Sequence, residues 1–438
     1  MSPGLHLGDI RSSLEGIIPS VIATLDEAGV PNVSYLSHVH YVDEGHVALS
    51  NQFFSKTTRN VRRLNTAQLM VVDGRSGQQH LLDIAYVRSE EAGPLFARMS
   101  ALLKVNDGLA IMKLRSADIY RVLSLAPVEP VLPLTGTPPR LAPRADLARL
   151  STVCQVLSGL DDADALLEAA LDGLEQVFGI AQALILTPGE EGTLSAIAHR
   201  GYGREGVGAE VAIGEGLIGL AAAVRQSLRI SDLRRAQRYA SAVAAAHAAD
   251  PRHIPLPGLD DALSQIAAPM ICQGQLAGVV FIESETAFAF RHEDESALAI
   301  LAAHLAAALK LSDQQAQQSV AGPASRAVVA HGPVIRLKYH AYDDSVFIDD
   351  AYVVRGVPGR LLHSFVSAWQ ATGQDVFSNR EIRRDPALKL PEWKDNLETR
   401  LILLKKRLDE KAAPIRLERL ERGRLRLVVD GRPEIETV

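Results

Sequence analysis

Hydrophobic and polar positions change period along the 438 residues. Over roughly the first 130, short apolar stretches with strand-like spacing recur at 16–25, 32–42, 45–51, 67–73, 80–87 and 117–124. They predict β-strands, whose successive side chains point to opposite faces. Asp26-Glu27-Ala28-Gly29 and Asp43-Glu44-Gly45 fall between apolar runs, where hairpin connections belong. Helical spacing is confined to 55–64 and 93–103, and many strands with few helices predict a barrel.

A proline-rich stretch at 128–144 cannot be regular helix and reads as a semi-rigid spacer. Beyond it Leu147, Leu150, Val153, Val156 and Leu157 recur at helical spacing, and a second apolar helix is predicted over 166–178. Strand signals follow at 181–186, 194–200, 210–213, 265–271 and 275–283, and a helix over 292–311 closes the unit. Residues 312–326 are polar and read as a linker. In the last hundred residues, Ile335, Leu337, Phe347, Ile348 and Val353 supply strand patterning, and a helix is predicted from 358 to 370. Ser378-Asn379-Arg380-Glu381 has the form of a helix N-cap. Leu397, Leu401, Leu404 and Leu408 then share one helical face, with Arg400, Lys405, Lys406 and Arg407 towards the other, which predicts an amphipathic helix with a basic outer surface. Ile415, Leu417 and Leu420, then Leu425 and Leu427, form two short strands about Glu421-Arg422-Gly423. The reading is a multidomain α+β chain divided at 1–130, a linker at 131–144, 145–311, a linker at 312–330, and 331–438.

A hydrophobic share of 47% and a charged share of 22% match a globular protein, and no run of 18 apolar residues predicts a membrane span. The first 11 residues lack the basic flank and apolar core of a signal peptide, so a cytoplasmic location with no membrane contact is expected. Cys154 and Cys272 are the only cysteines, which excludes a disulfide framework and an all-cysteine metal site. Charge changes the picture more. Residues 378–426 carry 15 Lys and Arg against 9 Asp and Glu, while the whole chain stands at −6, so the remainder stands at −12. Basic charge concentrated on a helix and hairpin points to nucleic acid; a solvated helix face is the plainer alternative.

In the first unit, Ser50-Asn51 ends a strand and Ser55-Lys56-Thr57-Thr58 opens a helix. Hydroxyls, a lysine and free N–H groups at a helix start suit an anion, although a plain N-cap beside a surface lysine has the same residues. With Gly29-Val30-Pro31-Asn32-Val33-Ser34, Val47-Ala48-Leu49-Ser50-Asn51 and Ser55-Lys56-Thr57-Thr58-Arg59-Asn60-Val61, the segment resembles the pyridoxamine 5'-phosphate oxidase-like split β-barrel family. That resemblance implies FMN. Ser55, Lys56 and Thr57 would hold its phosphate, with Val33, Ser34, Ser50 and Asn51 near the ring. The family's C-terminal arginine and histidine segment for substrate is missing, since Asp118 to Ser124 leads into Pro127, Pro130 and Pro133, which speaks against oxidase catalysis. His38, His40, His46 and His80 raise haem as the lesser alternative. His38 and His40, two apart on a strand, share a face and are more simply packed or solvent-side histidines.

Ile213-Gly214-Glu215-Gly216-Leu217-Ile218-Gly219, Leu228-Arg229-Ile230-Ser231-Asp232, Ala268-Pro269-Met270, Gly278-Val279-Val280, and Phe290 with Asp294 make the middle unit resemble a GAF domain, an α/β sandwich. The resemblance implies a small-molecule ligand over the central sheet beneath a variable loop, here 234–264. His247 and His253 lie in that loop without a second metal-ligand pair, so no metal is expected. The glycines of the Gly214 motif read as a tight turn into a helix, and not as a nucleotide loop. Part of the flanking helical surface is expected to pair two copies, so a homodimer is expected.

From 334 to 430 the order of elements resembles the winged-helix output domain of response regulators: four short strands, three helices and a hairpin wing. This implies DNA contact by Arg400, Lys405, Lys406 and Arg407 on the third helix and by Arg422 and Arg424 in the wing. Ile402 and Leu403 are apolar where that family places polar groups; they would meet thymine methyls or pack on another domain. Together these readings describe a one-component bacterial transcription regulator that senses a flavin, redox state or small molecule and binds DNA. An FMN-dependent oxidoreductase with regulatory domains, or a haem sensor, is the alternative; no catalytic residue is assigned.

Overall fold

A computed structural model describes residues 5–16, 18–52, 56–107, 113–129, 145–190, 192–203, 205–235, 254–317, 332–388, 390, 397–421 and 423–438. Its first unit opens with a 3-10 helix, Leu7–Leu14, followed by β1 (Ser20–Leu25), β2 (Pro31–Leu36), β3 (Val39–Asp43), β4 (His46–Asn51), α1 (Lys56–Leu64), β5 (Thr66–Val72), β6 (Gln79–Glu90), α2 (Pro94–Asp107) and β7 (Ser116–Val128). The seven strands form one antiparallel sheet in the order β2-β1-β5-β6-β7-β4-β3, a half-barrel whose edges are β2 and β3. The alternation predicted from sequence puts Ile22, Val47, Leu69, Val71, Leu82 and Ile84 inside, each at most 1% exposed. Asp26 makes the first turn, its Oδ1 accepting from the N–H groups of Ala28 and Val30. The single strand expected over 32–42 is two, β2 and β3, with Ser37 and His38 between them. Gly16, at φ 69°, is forced by close approach as well as conformation, because a Cβ there would lie 2.3 Å from His38 Nδ1.

The middle unit comprises α3 (Leu147–Gly159), α4 (Ala163–Phe178), β8 (Ala183–Pro188), β9 (Thr193–Arg200), β10 (Glu210–Ala212), α5 (Gly216–Val224), β11 (Leu228–Ile230), β12 (Ser264–Cys272), β13 (Gln275–Ser284) and α6 (His292–Gln317). Six strands run β10-β9-β8-β13-β12-β11. One face of the sheet packs Ile185, Ile197, Ile266 and Val280 against α3, α4 and α6; the other packs Leu184, Leu186, Ala267 and Val279 against α5. Asp146 and Asp162 cap α3 and α4 through side-chain bonds, and Gly179 ends α4 in the left-handed region. By length and composition α6 could cross a membrane, yet Leu298, Leu301, Leu305 and Leu309 are buried in this core. It runs past residue 311 into the expected linker. Its last turns are anchored: Ser312 Oγ donates to Asp161 O at 2.7 Å, Asp313 accepts from Arg383, and Ala316 is 1% exposed. Residues 312–317, the described part of the segment read as a linker, are thus helical and bonded to the third unit through Asp313.

That unit contains β14 (Val334–His340), β15 (Ser345–Ile348), β16 (Ala351–Val354), α7 (Val357–Thr372), β17 (Val376–Ser378), α8 (Asn379–Arg384), α9 (Leu397–Glu410), β18 (Ile415–Glu421), β19 (Arg424–Val429) and β20 (Arg432–Thr437). Among the described residues three strands, not four, precede its helices. The fourth place in the sheet β16-β15-β14-β20 is taken by the C-terminal strand, parallel to β14 with Leu337 opposite Ile435. The hairpin β18–β19 joins β17 in a second sheet. The predicted N-cap is a full capping box: the Ser378 hydroxyl accepts from the Glu381 N–H, and the Glu381 carboxylate accepts from the Ser378 N–H at 3.0 Å.

Candidate functional site

Of the residues assigned to flavin, Ser34, Lys56 and Thr57 gather where β1, β2 and α1 meet. Thr57 is 7% exposed, and its Oγ1 lies 2.8 Å from Ser34 Oγ and accepts from Asn32 Nδ2 at 3.0 Å. Asn60 Nδ2 in turn donates to Thr24 Oγ1 at 3.1 Å. Lys56 Nζ is half-exposed and paired with Asp26 Oδ2 at 2.8 Å, which holds the Asp26 carboxyl below its usual range. Val33 is 64% exposed on the edge strand β2. Ser50 and Asn51 lie elsewhere, at the end of β4 where it pairs with β7: Ser50 Oγ accepts from His38 N at 3.1 Å, and Asn51 Nδ2 donates to Asp118 Oδ2 at 3.0 Å. Ser55 lies outside the described residues. The expected set therefore divides into two groups, and the side chains of Thr57, Ser50 and Asn51 bond to protein partners. Lys56 keeps that ion pair at the exposed surface, where solvent screens it.

Of the four histidines raised for haem, His46 is partly exposed and bonds to Asp43 at 2.8 Å, and the other three are packed. His38 and His40 are 3% and 7% exposed and stack with ring centroids 5.7 Å apart, while His80 is also buried. Burial pushes the His38 pKa down to about 4 and that of His40 well below the ordinary value, with Arg98 and His38 adding to the effect on His40. Among the described residues no three His, Cys, Asp or Glu side chains are grouped to hold a metal.

Two charged features escaped the sequence reading. Glu283 sits at the end of an apolar strand, 2% exposed, accepting from Leu259 N at 2.8 Å and Gln265 Nε2 at 3.0 Å; burial raises its pKa. Arg229 of β11 is enclosed between units, 2.9 Å from Glu15 Oε1 and 3.2 Å from Glu295 Oε2. Burial disfavours its charge, but the two carboxylates outweigh that and raise its pKa. Arg98 of α2 reaches the same Glu295 at 2.7 Å. The available signal for both was a charge inside an apolar strand, at Ile282-Glu283 and at Leu228-Arg229-Ile230.

The helix assigned to DNA is covered on both sides. Leu397, Leu401, Leu404 and Leu408 lie in the core of the third unit, as expected, but Ile402 and Leu403 belong to the core of the middle unit. The basic face is therefore not an outer surface. Arg400 and Arg407 are 4% and 3% exposed; Arg407 Nε donates to Val353 O at 2.9 Å and its Nη1 pairs with Glu410. Lys405 pairs with Asp164, and Lys406 with Asp164 and Glu168, all on α4. Arg424 is half-buried opposite Ser378, and Arg422 lies outside the described residues. Arg355–Glu210, Arg360–Glu190 and Arg383–Asp313 extend the same seam.

The six-stranded sheet, α4, α5, most of α6 and the Gly214–Gly219 turn fall within residues 162–309, which match the GAF domain family. That segment is a GAF domain. Among curated proteins no sequence matches the chain. Solved structures similar to parts of it include the GAF domain of an Acinetobacter phosphoenolpyruvate-protein phosphotransferase, at 18% identity over 40% of this chain and 97% of that one, TM-score 0.33. A free methionine-R-sulfoxide reductase from Neisseria meningitidis is similar at 21% identity over 40% and 98%, TM-score 0.31. An FMN-binding protein from Syntrophomonas wolfei subsp. wolfei is similar at 16% identity over 28% and 86%, TM-score 0.24.

Proposed function

We propose that this chain is a one-component transcription regulator whose GAF domain masks a winged-helix-like DNA-binding unit and releases it when a small molecule binds. The carrying observation is the seating of α9: its lysines answer Asp164 and Glu168 of α4, while Ile402 and Leu403 enter the GAF core. Carboxylates there occupy cations that phosphates would otherwise meet. A ligand acts on such an arrangement only by binding one of two states more tightly, here the released one. A homodimer suits the reading, since Leu147 and Val156 of α3 and Ile300 and Leu311 of α6 are 51–74% exposed. The test is fluorescence anisotropy on duplex DNA across a salt series, comparing the full chain with an Asp164→Lys/Glu168→Lys variant. Stronger, salt-dependent binding by the variant supports the reading; no binding by either protein overturns it.

The second reading, a flavin-dependent oxidoreductase, is favoured only by the exposed cation at the start of α1. Lys56 would then hold the FMN phosphate. An absorption spectrum of the purified protein supplied with FMN decides it: flavin bands removed by Lys56→Ala support this reading, and a colourless protein ends it.

A further inference from the structure

Where the half-barrel meets the GAF domain, the two leave a crevice of about 310 Å³, within the range of small-ligand sites. Its walls come from both: Arg11 of the first helix and Glu15 at its end, His40 of β3 and Arg98 of α2 on one side, Arg229 and Glu295 on the other. Three arginines face two glutamates, so one positive charge is in excess. Glu295 is shared by Arg98 and Arg229, and Glu15 is taken by Arg229 and by the Ser231 hydroxyl at 2.9 Å. Arg11 is left with its guanidinium 4.2 Å over the Tyr41 ring and with no carboxylate partner among the described residues. Glu44, which accepts from the Tyr41 hydroxyl at 2.8 Å, does not line the crevice.

A second, independent feature marks the same place. His40 is 7% exposed, and its Nε2 is buried without a hydrogen-bond partner. An unsatisfied buried polar group costs about 1–3 kcal/mol, so such groups need a reason. A water would satisfy the imidazole but not the surplus charge. An interface built for adhesion alone would fill the space with apolar side chains, as α2 does nearby by packing Ala101 and Leu102 into the GAF cluster.

We propose that this crevice binds a small oxyanion-bearing metabolite, a carboxylate or phosphate of a few to some tens of atoms, with Arg11 neutralising it and His40 Nε2–H donating to it. Arg98 and Arg229, fixed by their glutamates, frame the site. Such a ligand touches both domains and is distinct from a ligand over the GAF sheet and from a flavin phosphate at α1. The inference does not depend on DNA binding.

The experiment is isothermal titration of the full chain with sodium succinate and, separately, inorganic phosphate in buffers of matched ionic strength. Saturable binding of at least one probe is expected. It weakens about tenfold or more in Arg11→Gln, the scale of one lost charge-assisted hydrogen bond. His40→Gln should weaken it as well, and Lys56→Gln should leave it unchanged. Arg11 is only half-buried, so its variant keeps the test open if His40→Gln does not fold. No saturable binding of either probe overturns the proposal. So does wild-type affinity in Arg11→Gln, or equal loss in Lys56→Gln, which would place the anion at α1.

Discussion

Lys406 Nζ stands 3.1 Å from Glu168 Oε1, so a lysine on the helix read as a DNA contact answers a carboxylate of the GAF domain. The same ammonium is 3.5 Å from Asp164 Oδ1, and Lys405 shares that aspartate. These pairs are partly exposed, each contributing about 0.2–1 kcal/mol, and salt weakens them. Reversing both acids replaces attraction with repulsion. In Asp164→Lys/Glu168→Lys, amide hydrogen exchange across Leu397–Glu410 should accelerate several-fold at low ionic strength, and the difference should shrink at high salt. Unchanged protection in that helix would show that the charge pairs do not hold it.

Adjacent leucines on α9 serve different cores, and their substitution should separate docking from folding. Leu404 is 0% exposed within the third unit, whereas Leu403 is 7% exposed within the GAF cluster. Each Leu→Ala change costs about 2–5 kcal/mol. Leu404→Ala should unfold residues 332–438 and lower the circular dichroism signal. Leu403→Ala should keep that signal and expose the interdomain seam to limited proteolysis. Identical behaviour of the two variants would contradict the division.

Much of this was legible because local chemistry and pattern agree. β5 and the start of β6 were written in alternating runs, β4 and the longer GAF strands in short continuous apolar runs buried on both faces, and the Asp26 turn and Ser378 capping box in specific turn and cap residues. What was not legible depends on partners distant in sequence. Nothing within 312–317 says that Asp313 meets Arg383, or within 397–410 that a second hydrophobic face is covered by another domain. Ile402 and Leu403 were the one local sign, apolar residues on the face counted as basic. The Arg229–Glu15 pair spans 214 residues, and periodicity carries no information about such a contact.

Gly219 marks the entry to α5 by close approach, not by conformation. A Cβ at that position would lie 2.1 Å from Ala212 O, a backbone atom that cannot swing aside. Gly219→Ala should therefore destabilise the GAF domain by about 1–3 kcal/mol, as overpacking does. At Gly203 a Cβ meets nothing within 4 Å, so Gly203→Ala should be close to neutral. Thermal unfolding of the full chain by differential scanning fluorimetry compares them, and equal midpoints would refute the steric account.

The stacked histidines make the half-barrel sensitive to mild acid. His38 titrates near 6.5 when unfolded and at about 4 when folded, because burial opposes its charge. Between those values the unfolded chain binds the proton and the folded one does not, so stability falls as the pH falls from about 6.5 to 4. The loss from His38 alone is about 3 kcal/mol. His40 shifts in the same direction and adds to it. Carboxyls lowered by hydrogen bonds, such as Asp83, lose their contribution only as the pH falls below about 3.8, a separate window. Glu283, raised by burial, acts with the opposite sign, since its protonation favours the folded state. Urea unfolding at pH 7 and pH 5 should show the wild type losing stability on acidification and His38→Leu losing less. Equal losses in the two proteins would remove His38 as the source.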